Sequence, residues 1–164
     1  MYSEPIAHFF TFTTYGTWLH GDERGSISRK GDTFDTRYVA PFPKLEALRT
    51  LHLAQEPLIL DAPMRRCVQR AIEAYCAFRG LALLELNVRT NHVHAAIAGQ
   101  EPPVKTLNGL KAYATRALRD EGLVPPDRRV WTTGGSKRKC FTEEDVARVR
   151  RYIRDGQGVD LPQE

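Results

Sequence analysis

His92-Val93-His94 places two imidazoles two positions apart. In a β-strand alternate side chains share a face, so both rings point one way and Val93 points the other. Two imidazoles on one exposed sheet face can bind a single divalent metal ion. Val93, with Ile97 nearby, would anchor the strand from its other side. So short a pattern also arises by accident, as two unrelated surface or hydrogen-bonded histidines. The second candidate is Tyr152, in VARVRRYIRDGQG. Val146, Val149 and Ile153 follow helical spacing there, and Tyr152 flanks that stripe among Arg148, Arg150, Arg151 and Arg154. A boundary aromatic on a solvated basic face has the same pattern.

Taken together, the two features fit one reaction. A tyrosine that attacks a phosphodiester needs a Lewis acid on the phosphate, a fixed position, and surroundings that tolerate phosphate charge. The His-x-His strand offers two metal ligands, and the basic helix offers a nucleophile with phosphate contacts. Other candidates are weaker. Tyr113, in LKAYATRAL, lies near an apolar stripe and reads as core, which makes it the second choice of nucleophile. His8 reads as core packing, and His20 as part of a charged turn. Lys137, Arg138 and Lys139 lie near Trp131, a combination that can hold a DNA strand by phosphate contact and stacking, or can be a solvated hairpin.

The elements that must position these residues follow from hydrophobic pattern and punctuation. Residues 6–14 (IAHFFTFTT) read as a strand. A long connection at about 16–57 comes next, with a short helical stretch near 45–54; Arg24, Arg29, Lys30 and Arg37 within it suggest a grip on a DNA hairpin. Asp61 is placed to cap a helix with Pro63 in its first turn, and Gly80 to end it. Residues 81–90 and 91–98 read as two strands of a hairpin, and 104–121 as a helix stopped by Gly122. A short basic strand is expected at about 137–141. Thr142 then opens the last helix, in a capping box whose Asp145 looks too short for the reciprocal bond, and Gly156 and Gly158 close it. The order suits an α+β, ferredoxin-like antiparallel sheet with helices on one face, in a single domain spanning 1–164.

Composition narrows the setting. The chain has 164 residues, 41% of them hydrophobic, enough for one sizeable core and against global disorder. The net charge of +4 permits a polyanionic partner without requiring one. Three cysteines with no Cys-x-x-Cys pair argue against a disulfide scaffold and a cysteine zinc site. MYSEPIAHFF lacks the pattern of a signal peptide, and no apolar run reaches the roughly 20 residues of a membrane span. A cytoplasmic protein is expected.

NHVHAAI resembles the HUH motif, His–hydrophobic–His, of the IS200/IS605-like single-tyrosine transposases and of the REP-associated tyrosine transposases. FTFTTYGTWLHGDERG, LNVRTNHVH, LKAYATRALRD and VWTTGGSKR resemble segments of such proteins, so the likeness runs from about residue 6 to 158. It implies an HUH endonuclease-like fold, with Tyr152 as nucleophile and His92 and His94 on Mg²⁺ or Mn²⁺. It also implies cleavage of single-stranded DNA near hairpins through a 5′-phosphotyrosine. The family's third metal ligand commonly lies four positions after the tyrosine. Here that position is Gly156, so Gln157 is carried over as the third ligand. The odd spacing keeps a rival in view: a domesticated, inactive module that binds DNA hairpins. A histidine phosphoesterase would need a second histidine motif. The resemblance leaves monomer and homodimer both open.

Overall fold

The computed structural model describes residues 3–17, 26–27, 38–39, 51 and 53–155. Gln157, Gly156, Gly158, His20, the basic residues of the long connection and most of the stretch expected to be helical near 45–54 lie outside them. In chain order the elements are β1 (Ala7–Thr13), β2 (Ser26–Ile27), β3 (Tyr38–Val39), α1 (Ala62–Arg79), β4 (Ala82–Val88), β5 (His92–Ala98), α2 (Pro103–Asp120), β6 (Ser136–Cys140) and α3 (Glu143–Asp155). The short strands β2 and β3 pair with each other.

The aromatic and β-branched run AHFFTFT forms β1, which lies inside a four-stranded sheet ordered β4-β5-β1-β6. All three pairings are antiparallel. In the two β-α-β passages, β1-α1-β4 and β5-α2-β6, the two parallel strands are separated by one antiparallel strand, which is the ferredoxin-like arrangement expected of an α+β chain. The helix punctuation also acts as expected. Asp61 caps α1 by accepting from the Met64 N–H at 2.9 Å. Gly80 ends it in the left-handed region, at φ 65°, where a side chain would be strained.

Strand alternation splits the sheet into two faces. Phe10, Phe12, Val93, Ala95 and Ile97 pack in one cluster with Cys67, Val68 and Ile72 of α1 and Leu110, Ala114 and Leu118 of α2. Phe9, Ala96 and Cys140 point the other way and pack with Val146 and Ile153 of α3. Thus α1 and α2 share a face as expected, while α3 lies across the opposite one. Periodicity gives a helix its apolar stripe but does not say which side of a sheet the stripe will meet.

The start of α3 differs from expectation. Thr142 Oγ1 accepts from the Asp145 N–H at 3.1 Å, and Asp145 Oδ2 accepts from the Thr142 N–H at 3.1 Å and the Phe141 N–H at 3.0 Å. The shorter carboxylate therefore closes a full capping box and takes a further backbone donor.

Candidate active site

The register of β5 fixes where its histidines stand. His92 lies opposite Thr13, and His94 lies between Thr11 on one side and Asn87 on the other. Both imidazoles therefore share the sheet face that carries α3. Their ring centroids are 4.7 Å apart, with planes at 74°. His94 is 4% exposed. Val93, fully buried beneath, sits in the larger core.

Each histidine has its Nδ1 engaged. His92 Nδ1 donates to Asn91 Oδ1 at 2.7 Å, and His94 Nδ1 is 2.8 Å from Thr11 Oγ1. Asn91 is itself pinned: its carbonyl accepts from the Thr14 N–H at 2.9 Å and the Thr14 hydroxyl at 3.2 Å. Metal-binding histidines are typically oriented this way, with one ring nitrogen held by a neighbour and the other left for the ion. Burial, then the charges of His92, Arg89 and Arg138, push the His94 pKa down to about 3. His94 is accordingly neutral near pH 7, the form that can ligate a metal.

Tyr152 stands beside this pair. Its ring meets His94 edge-on at 5.6 Å and Phe9 edge-on at 5.9 Å, while Phe9 lies 5.3 Å from His94. Tyr152 is 46% exposed, so it borders the site and also faces solvent. Its neighbour Ile153 is fully buried and anchors the helix. The Ile153 carbonyl accepts from Asn87 Nδ2 at 2.9 Å, and Arg150 Nε approaches Glu85 Oε2 at 3.4 Å. Two β4 residues thus hold the tyrosine helix against the histidine face.

The remaining candidates fall elsewhere. Tyr113 meets Tyr75 edge-on at 4.9 Å, between α1 and α2, on the other side of the sheet. His8 points to that other side too, opposite Ile97. Trp131 is structural: its Nε1 donates to the Lys111 carbonyl at 3.2 Å and its ring packs edge-on against Phe12 at 4.9 Å. The basic run divides by alternation. Lys137 and Lys139 lie opposite Phe10 and His8, whereas Arg138 lies opposite Phe9 on the site face. Among the described residues no group of three His, Cys, Asp or Glu forms a metal cluster. Sequence reasoning passed over Asn91, Thr11 and Asn87. Asn91, adjacent to His92, and the polar alternation of FTFTT were the signals available.

No protein-family model matches the chain, and no curated protein matches it. Solved structures do. The chain is similar to a REP-associated tyrosine transposase, solved bound to a REP hairpin, with a TM-score of 0.50 and 13% identity over 93% of this chain and 67% of the other. The two proteins share a fold. The chain also aligns with a crystal structure, described as a candidate transposase, from Deinococcus radiodurans R1, with a TM-score of 0.47 and 14% identity over 96% of this chain and 95% of the other.

Proposed function

We propose that the chain is a transposase-like DNA strand transferase of the tyrosine HUH type, cutting single-stranded DNA beside hairpins. The observation that carries this reading is the contact of Tyr152 with His94, which is itself edge-on to His92. Two histidines and a solvent-facing tyrosine on one sheet face are the parts the reaction requires. The shared fold with a transposase supports the reading, and that neighbour's REP hairpin makes hairpin DNA the proposed partner.

His92 and His94 suit a divalent ion, because they share one sheet face with ring centroids 4.7 Å apart and each has its Nδ1 engaged by a neighbour. Gln157 is the proposed third ligand, and Mg²⁺ readily keeps waters in the remaining positions. Bound Mg²⁺ or Mn²⁺ would polarise the scissile phosphate. Tyr152 Oη then attacks phosphorus and loses its proton to solvent. The P–O3′ bond breaks, and the departing 3′ oxygen takes up a proton. The products are a 5′-phosphotyrosine and a free 3′-hydroxyl. Attack by a later 3′-hydroxyl restores a phosphodiester and releases the tyrosine, so no ATP is consumed. Among the described residues no helix is long and apolar enough to cross a membrane, and the proposed setting is the cytoplasm, with the DNA.

The test is a covalent-adduct assay on labelled single-stranded hairpin DNAs from the sequence flanking the gene. Wild-type protein with Mg²⁺ or Mn²⁺ should give a denaturant-resistant adduct. Tyr152→Phe and EDTA should each abolish it, while Tyr152→Phe keeps DNA binding. Undiminished cleavage by Tyr152→Phe would reject the nucleophile. Binding to the cognate hairpin without any adduct would point to a domesticated binding module.

A further inference from the structure

Strand β6 presents three successive cations, and its pairing with β1 gives them different surroundings. Lys137 and Lys139 face the side occupied by α1 and α2, or its margin, while Arg138 is turned to the histidine face. Its direct partner across the ladder is Phe9. The Phe9 ring touches both His94 and Tyr152, at 5.3 Å and 5.9 Å. Arg138 thus starts two strands from β5, with Phe9 of β1 between, and its charge is nevertheless felt at His94.

Two arginines of the helix on the histidine face are already paired with carboxylates. Arg148 pairs with Asp145 at 2.5 Å and Arg150 with Glu85 at 3.4 Å. Arg138 has no carboxylate partner among the described residues, although it is only partly exposed. A half-buried guanidinium whose charge reaches the His94 imidazole has no carboxylate to balance it among the described residues. A backbone phosphate supplies one, and its paired non-bridging oxygens match the fork of the guanidinium.

We propose that Arg138 binds the DNA phosphate lodged between Tyr152 and the His92–His94 pair. The inference rests on the strand-transferase reading and extends it by a residue. A fixed cation there steadies the negative charge that builds on the non-bridging oxygens as phosphorus is attacked.

The experiment compares wild-type protein with Arg138→Gln, Arg138→Lys and Lys139→Gln, each checked for its fold by circular dichroism. The probe is a hairpin-bearing single-stranded DNA from the flank of the gene. It is made repeatedly, each time with one uncharged methylphosphonate linkage at a different position. Binding is read by fluorescence anisotropy, so cleavage is not needed. At one linkage, neutralisation should weaken wild-type binding about 10-fold, in line with a charge-assisted contact. Arg138→Gln should bind the normal DNA about as weakly and lose nothing more at that linkage. Arg138→Lys should keep part of the effect, and Lys139→Gln all of it. Where the wild-type protein forms an adduct, the coupled linkage should be the one that is cut. The proposal is overturned if every linkage effect survives in Arg138→Gln, if the coupled linkage is not the cut one, or if the wild-type protein binds no DNA. Linkage coupling without any adduct would support Arg138 and refute the cleavage reading alone.

Discussion

At His92 and His94 the ring nitrogens away from the proposed ion are held by Asn91 Oδ1 and Thr11 Oγ1. Such partners set the ring orientation, and their loss typically lowers metal affinity 10- to 100-fold. Thr11→Val and Asn91→Ala are therefore expected to weaken Mn²⁺ binding by about 10- to 100-fold, with both histidines intact. Titration calorimetry with Mn²⁺ checks this. Asn91→Asp, which keeps an acceptor, should restore most of the affinity lost in Asn91→Ala. Wild-type affinity in both Thr11→Val and Asn91→Ala would show that the neighbours do not tune the pair. These residues also mark how far the sequence could be read. His92 and His94 were legible because two positions along a strand is a local rule. Tyr152 was legible from its helix stripe. Thr11 lies 83 positions from His94, and only register brings it under that ring. The same holds for Arg138, whose neighbours in the sequence suggested three equivalent cations.

Among the elements, α1 and α2 approach closely at Gly109. A Cβ built there would fall 2.2 Å from the Cζ and the hydroxyl of Tyr75. That hydroxyl cannot move freely, because it donates to Glu101 Oε2 at 2.6 Å. The Glu101 carboxylate is also bound by Arg79 at 2.7 Å and Thr106 at 2.9 Å. Burial tends to raise the Glu101 pKa, and the hydrogen bonds from Tyr75, Thr106 and Arg79 outweigh it and hold the group below the usual range. In an exposed helix, glycine to alanine stabilises by about 1 kcal/mol. Here the sign should reverse: Gly109→Ala is expected to cost about 1–3 kcal/mol, the range for overpacking a filled contact. Urea denaturation measures it, and a variant as stable as the wild type would mean that Tyr75 has room to swing aside. The sequence announced both helices through Asp61, Gly80, Gly122 and their apolar stripes. It did not announce this contact, because a glycine inside a helical pattern looks like a defect until the facing side chain is known. Nor did it place α3. The small residues Ala7 and Ala96 leave space for that helix on the histidine face, but in the linear pattern they read as ordinary strand positions.

At the scale of the whole molecule, the sheet separates two tasks. The α1–α2 side carries the larger apolar cluster, and the α3 side carries a smaller one beside the proposed chemistry. A histidine is set into each side in its neutral form. His8 has its pKa lowered by burial and then by Lys139, and its Nε2 is buried with no hydrogen-bond partner among the described residues. His94 is pushed down to about 3, chiefly by burial. In the unfolded chain both would titrate near 6.5. Below that value the unfolded state binds protons that the folded state refuses, so the equilibrium moves toward unfolding. The stability contributed by neutral histidines is thus complete above about pH 6.5 and falls as pH drops toward the folded values. In EDTA, the urea midpoint of the wild-type protein should be lower at about pH 5 than at about pH 7.5. His8→Phe should reduce that difference without removing it, since His94 still contributes in the same direction. It should also leave Mn²⁺ affinity unchanged, because His8 projects from the face opposite the pair. A midpoint difference as large in His8→Phe as in the wild type would take His8 out of the acid response. A loss of Mn²⁺ affinity would show that a change on the core side reaches the site through β1, which pairs with β5 along its length.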